Sequence, residues 1–348
     1  MAIKVLVVDD SVFMRKLISD ILNEDEILEV VDTAKNGKEA LGKIKELSPD
    51  VITLDIEMPI MDGITTLKHI VNDFKKPVVM LSSLTKEGAE ATLKALEIGA
   101  VDFITKPTNI FKVGADEKKK EIIQKVKISS KVKILNGKLN SQHKIIRMNN
   151  YKKNRGEFSN LIAIGTSTGG PKALQAIIPH IPKNINGSIV VVQHMPPGFT
   201  KSLAKRLDSL SEITVKEAEN NERIKKGYCY IAPGDYHMTI DEVNGKELYI
   251  RLNKDRPVSG HRPSVDVLMK SVSKVKSMKK IGIILTGMGS DGAKGIKSVK
   301  DNNGFTIAQN EETCVVYGMP KSAVEIEGIN KILPLEKIAQ EIMNRVGV

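Results

Sequence analysis

Leu161-Ile-Ala-Ile-Gly-Thr-Ser-Thr-Gly-Gly170 is an apolar run that breaks into a glycine-rich turn carrying Ser167. The apolar part reads as a buried strand, and Pro171-Lys-Ala-Leu174 as the first turn of a helix. A serine at that junction lies at the carboxyl end of a strand, beside the free N–H groups of a helix start. There a nucleophile can be exposed and an oxyanion stabilised. The same strand-end pattern recurs at His194, after Ser188-Ile-Val-Val-Val-Gln193, and at Asp291, in the loop after Ile281–Leu285. Three strands thus offer the residue types of a hydrolase triad. Gly165-Thr-Ser-Thr-Gly169 also matches the G-x-S-x-G nucleophile elbow, although that motif alone describes many plain turns. In α/β-hydrolases the acid precedes the histidine. Here the order is Ser, His, Asp, which argues against that fold and leaves the chemistry intact, because a triad is defined by geometry.

Working outward, the strand rhythm continues on both sides. Residues 158–348 carry further strands at Gly227–Ile231 and Phe305–Ala308, and Val243-Asn-Gly-Lys246 signals a hairpin within Met238–Leu252. Residues 1–125 alternate strands with amphipathic helices. The strands are Ile3–Val8, Leu28–Thr33, Val51–Leu54, Val78–Leu81 and Val101–Thr105; the helices include Val12–Asn23, Lys38–Leu47 and a last one from about Asp116 to Lys127. This is a (βα)5 rhythm, so two doubly wound α/β domains with parallel sheets are expected. Residues 126–157 read as a polar linker. Between Lys118 and Arg155 stand thirteen Lys or Arg and one acid, so the net charge of +11 belongs to this stretch and the rest is near neutral. A solvated linker explains such a run better than DNA binding, which calls for a folded basic reader; a weak anionic-surface or RNA contact is the alternative. The two cysteines, Cys229 and Cys314, fit no disulfide framework, and neither a secretory signal nor a spanning segment is evident. A cytoplasmic, monomeric protein is expected.

Two rival motifs need weighing. Gly287-Met-Gly-Ser-Asp-Gly292 is a literal G-x-G-x-x-G after a strand, but Asp291 would set a carboxylate against a pyrophosphate. Cys314 lacks any turn to present it as a nucleophile and reads as a buried thiol. His237 and His261 lie in polar loops and could line a cleft, though neither ends a strand; His180 reads as structural. In the first domain Asp9 and Asp10 close one strand and Asp55 another, so their carboxylates meet in one crevice. Three such charges repel and suggest a bound Mg²⁺. Ser82 and Lys106, at two further strand ends, add a hydroxyl and an ammonium suited to a phosphoryl group on a carboxylate.

Val7-Val-Asp-Asp10, Asp55 with Met58-Pro-Ile-Met-Asp-Gly63, Ser82 and Lys106-Pro107 resemble a response-regulator receiver domain. The resemblance implies that Asp55 is the phosphoacceptor and that Asp10, Asp55 and the backbone carbonyl of Glu57 hold Mg²⁺, with Asp9 nearby. It implies too that Ser82 and Lys106 contact the phosphoryl group and that Phe103 takes the place of an aromatic switch residue.

In the second domain Ile164–Gly170, Gln193-His-Met-Pro196, Ala232-Pro-Gly234, Gly260-His-Arg-Pro-Ser-Val-Asp266, Leu285–Gly292 and Tyr317-Gly-Met-Pro320 resemble the CheB family of chemotaxis protein-glutamate methylesterases. One departure is Thr166, where alanine is expected. The resemblance implies that Ser167 attacks glutamyl methyl esters of chemoreceptors, with His194 as base and Asp291 orienting it. The backbone N–H of Met288 would help form the oxyanion hole, and N–H groups of the Ser167 turn could assist. It further implies possible glutamine deamidation, no cofactor for hydrolysis, and control by a chemotaxis histidine kinase. A receiver-controlled transcriptional regulator would need a DNA-reading helix pair, which the α/β second segment does not offer; an esterase or amidase for small molecules is the enzymatic alternative.

Overall fold

Short apolar runs separated by amphipathic stretches fold as βα units wherever both faces of a strand can be buried. The protein, described by a computed structural model over residues 2–107, 115–132 and 158–347, forms two units, Met1–Ser141 and Gln142–Val348. In the first, β1 (Ile3–Val8), α1 (Val12–Asn23), β2 (Leu28–Ala34), α2 (Gly37–Leu47), β3 (Val51–Asp55), α3 (Gly63–His69), β4 (Val78–Ser82), α4 (Lys86–Ile98), β5 (Asp102–Thr105) and α5 (Ala115–Ser129) follow in order. The strands are parallel in the order 2-1-3-4-5. The chain therefore reverses across the sheet between β1 and β3, and a crevice opens beyond their carboxyl ends. Polar caps start the helices: Ser11, Asn36, Asp62 and Thr85 each accept an N–H of the first turn.

The second unit contains β6 (Asn160–Thr166), α6 (Gly170–Ile177), β7 (Gly187–Gln193), α7 (Phe199–Asp208), β8 (Thr214–Glu217), β9 (Tyr228–Ile231), β10 (His237–Val243), β11 (Glu247–Asn253), α8 (Val265–Ser273), β12 (Lys279–Ile284), α9 (Ala293–Asp301), β13 (Phe305–Gln309), α10 (Met319–Glu325), β14 (Lys331–Leu333) and α11 (Leu335–Val346). Seven strands form one parallel sheet in the order 14-13-12-6-7-9-8. Both faces of β6 and β7 are buried: Leu161, Ala163, Val190 and Val192 join one core with α8, α9 and the hairpin, while Ile162, Ile164, Ile189 and Val191 are equally covered. β10 and β11 pair antiparallel, and Asn244 and Gly245 both take positive φ at their turn, as Asn-Gly favours.

Two strands escape the sequence pattern. β8 and β14 are short edge strands whose residues are largely part-exposed, so no apolar run marks them. The basic stretch also starts earlier than a linker would: Lys118, Lys119, Lys120, Lys125 and Lys127 belong to α5, which runs to Ser129, past residue 125. Lys119 and Lys127 there meet Glu24 and Asp25, at 2.5 and 2.6 Å. Residues 133–157 of the expected linker, with His143, lie outside the described residues. No helix among the described residues is long and apolar enough to cross a membrane.

Candidate active site

β6 is the switch point of the second sheet, because the chain leaves it toward β7 on one side and returns to β12 on the other. The carboxyl ends of these three adjacent strands carry Ser167, His194 and Asp291. Neighbouring backbone fixes the serine turn: the Ser167 N–H and the Thr166 hydroxyl both donate to the Thr286 carbonyl, at 3.1 and 2.9 Å. The Gln193 amide donates to the Ser167 carbonyl at 3.0 Å. Gly169 supplies a positive φ of +77° that lets the chain turn from β6 into α6. Thr166 thus uses its extra hydroxyl to tie the turn to the β12 loop.

Asp291 is 2% exposed, and the amino end of α8 holds its carboxylate. Oδ1 accepts from the Ser264 hydroxyl at 2.8 Å and the Asp266 N–H at 3.1 Å; Oδ2 accepts from the Val265 N–H at 2.7 Å and faces His194 Nε2 at 2.8 Å. Gly165 makes this approach possible, since a Cβ there would overlap the Val265 side chain. Burial alone would raise the Asp291 carboxyl. The His194 hydrogen bond and charge, with the Val265 N–H and Ser264 hydroxyl, outweigh burial and hold it well below the usual carboxylate range.

An ionised Asp291 facing Nε2 requires the proton of neutral His194 to sit there. Nδ1 is then the basic nitrogen, and it is buried without a hydrogen-bond partner among the described residues. An unpaired buried acceptor costs about 1–3 kcal/mol, a strain that a hydroxyl donor would relieve. The His261 ring stacks on His194 at 3.8 Å and 10°, which fixes the plane in which Nδ1 points.

Among the described residues the Met288 N–H has no hydrogen-bond partner, while its neighbour Gly287 is stitched to Val316, Gly318 and Met319. The Ser167 N–H is not free to assist an oxyanion, because Thr286 takes it. The Gly170 N–H is likewise taken, donating to the Ser167 carbonyl at 2.8 Å, so neither of these two N–H groups of the turn is available to an oxyanion. The G-x-G-x-x-G loop does lead into a helix, α9, but its Asp291 is bound to His194, so a phosphate there would meet a buried negative charge.

In the first unit, ligand oxygens of Asp9, Asp10 and Asp55 lie within 4.8 Å of one another. Lys106 Nζ reaches Asp9 at 2.8 Å and Asp55 at 2.7 Å. Burial pushes Asp55 up to about 6 against the pull of Lys106, and the charge of Asp9 adds to the rise. Crowded carboxylates with hard oxygen donors suit Mg²⁺. Glu57 is an exposed residue two positions beyond Asp55. Ser82 ends the neighbouring strand; its carbonyl accepts from the Lys106 N–H at 2.8 Å, and its hydroxyl faces the Gly88 and Ser83 carbonyls and accepts from Thr92 at 2.7 Å. Phe103 is buried.

The family model described as CheB methylesterase matches residues 162–342, and the one described as response regulator receiver domain matches residues 5–114. The chain belongs to the CheB methylesterase family. Among relatives, it is 49% identical over 355 residues to the protein-glutamate methylesterase/protein-glutamine glutaminase of Archaeoglobus fulgidus, covering 99% of this chain and 98% of that one. The corresponding protein 1 of Syntrophomonas wolfei is 47% identical over 346 residues, 98% of both chains. The crystal structure of the Thermotoga maritima CheB methylesterase catalytic domain is 48% identical, with a TM-score of 0.53, and covers 55% of this chain and 100% of that one.

For this member of the CheB family, residue-by-residue reading of the sequence missed the supports rather than the triad candidates. Ser264 is readable as a helix cap before the apolar run of α8, yet nothing local reveals that the capped helix points at Asp291. His237 does not line an open cleft: it is 1% exposed, with both ring nitrogens bonded to backbone. His180 sits exposed at the end of the 3-10 turn that connects α6 to β7. Cys314 is half-buried rather than buried as expected, because it lies in the connection after a 3-10 turn; desolvation still pushes its thiol up to about 12, consistent with an inert side chain.

Proposed function

We propose that this chain hydrolyses glutamyl methyl esters on chemoreceptors, and deamidates receptor glutamines by the same chemistry, under phosphorylation control through its receiver. The observation that carries the hydrolytic reading is the buried, unpaired Nδ1 of His194, whose Nε2 is committed to Asp291 beside the Ser167 turn. Ser167 Oγ attacks the ester carbonyl while His194 Nδ1 takes its proton. Asp291 holds the ring and stabilises the imidazolium, and the Met288 N–H binds the carbonyl oxygen as it becomes an oxyanion. Collapse of the tetrahedral intermediate breaks the C–O bond to methanol, which leaves with the proton from His194. Water then attacks the acyl-serine, again losing a proton to His194, and releases glutamate and Ser167. With a glutamine side chain the leaving group is ammonia and the steps are otherwise the same.

The receiver reading rests on the carboxylate cluster and Lys106. A phosphohistidine kinase of the chemotaxis system donates to Asp55, and Asp9, Asp10, Asp55 and the Glu57 carbonyl would hold Mg²⁺, which supplies charge neutralisation for the incoming phosphoryl group. Lys106 pairs with the modified carboxylate, and the Ser82 hydroxyl contacts the phosphoryl group. The chain acts as a cytoplasmic monomer. Methanol release from methylated receptor, compared between wild type and Ser167→Ala, tests the hydrolytic reading. The variant is expected to lose about 10⁴-fold or more in kcat; undiminished release would overturn it.

A further inference from the structure

The loop that carries His261 and Ser264 has no regular secondary structure, yet both residues touch the catalytic pair. Something must hold it. At its start, the Arg256 carbonyl meets His237 Nε2 at 3.1 Å; at its end, the Ser264 N–H meets His237 Nδ1 at 3.2 Å. Backbone polarity decides the tautomer. Nδ1 receives an N–H and must be unprotonated, while Nε2 faces a carbonyl and must carry the proton. His237, the first residue of β10, is buried and lies outside the Ser167 turn and both loops of the triad.

We propose that His237 is a positioning residue for the hydrolytic site, stapling both ends of the 256–264 loop so that His261 stays stacked on His194 and Ser264 stays bonded to Asp291. The proposal rests on the reading of Ser167, His194 and Asp291 as the reacting site, and adds to it what keeps two of the three in register. Each end of the staple has a separate consequence. Release of Ser264 lets its hydroxyl leave Asp291 Oδ1 and loosens the amino end of α8, whose Val265 and Asp266 N–H groups also hold that carboxylate. Release of Arg256 lets the loop drift and tilts the ring beneath His261. Neither change touches the ester, so substrate affinity is left alone while the geometry needed in the transition state is lost.

The test uses the full chain with methylated receptor, measuring kcat and KM separately alongside thermal unfolding. His237→Gln keeps an amide near Nε2 for Arg256 but offers no acceptor to the Ser264 N–H; kcat is expected to fall about tenfold or more with KM unchanged. His237→Asn places a carboxamide oxygen near Nδ1, restores the Ser264 arm, and should recover most of that loss. Ser264→Ala is the milder check, with a similar kcat loss rescued by Ser264→Thr, which keeps the hydroxyl. Full kcat in both His237→Gln and Ser264→Ala overturns the proposal. So does a loss that follows the unfolded fraction, or one that the Asn and Thr variants fail to relieve. Ser167→Ala runs in the same assay: if it stays active, the site reading itself fails, a result distinct from failure of the staple.

Discussion

Asp55 and Asp291 stand in corresponding places and in opposite electrostatic surroundings. Each is buried beyond the carboxyl end of a parallel strand, at the point where its sheet reverses order. Around Asp55 stand another carboxylate, Asp9, one ammonium, Lys106, and a single backbone donor, the Ile56 N–H at 2.8 Å, and burial with the like charge drives its carboxyl up to about 6. Around Asp291 stand three N–H or O–H donors from the start of α8 and the His194 ring, and they hold it ionised despite burial. Location at a switch point therefore makes a site without choosing its chemistry. A surplus of negative charge invites a cation and a phosphoryl group, whereas a surplus of donors makes a fixed anion that can steady an imidazolium.

The sharpest way to break this contrast is Asp291→Asn. An amide cannot hold the His194 proton at Nε2 in the same way, and kcat for methanol release should fall about 10⁴-fold; a loss below tenfold would mean that Asp291 is not the orienting acid. Next is Asp55→Asn, which should remove any acceleration of turnover by a small-molecule phosphodonor with Mg²⁺. Persistent acceleration would place the phosphoacceptor elsewhere. A smaller effect lies in stability. Asp55 keeps its proton up to about pH 6 when folded but only to its ordinary 3.8 when unfolded, so between those values the native state binds more protons and stability falls as pH rises. The metal-free wild type should therefore lose thermal midpoint across that window more steeply than Asp55→Asn, and Mg²⁺ at neutral pH should raise the midpoint of the wild type only. Equal slopes would show that Asp55 is not crowded. Asp291 has the opposite sign: its depressed carboxyl contributes stability above its ordinary range that is lost as pH falls through the folded value. The smallest effect is that of Cys314→Ser, which should leave kcat unchanged, since its half-buried thiol, held protonated, takes no part.

Much of this was legible along the chain. Buried parallel strands are continuous apolar runs, so most of the strands, and the residues that end them, can be read locally; Ser167, His194, Asp55 and Asp9 all follow such runs. The edge strands β8 and β14 were not legible, because an edge needs no uninterrupted apolar face. Nor was the fate of the Ser167 N–H, since its acceptor, the Thr286 carbonyl, lies 119 residues away. The same distance in sequence hid the Ser264 and α8 contribution to Asp291 and the two-sided bonding of His237.

What the sequence determined by itself is the βα rhythm of both units, the strand-end placement of the chemically competent side chains, and an order of Ser, His and Asp that excludes the usual elbow fold. Only the tertiary structure decided that β12, β6 and β7 are neighbours, that Asp291 rests on the amino end of α8, and that Nδ1 rather than Nε2 of His194 is left for a hydroxyl. The reason is physical. Apolar periodicity is a local property of the chain, while the protonation and orientation of a buried group depend on dipoles and charges brought to it from remote segments.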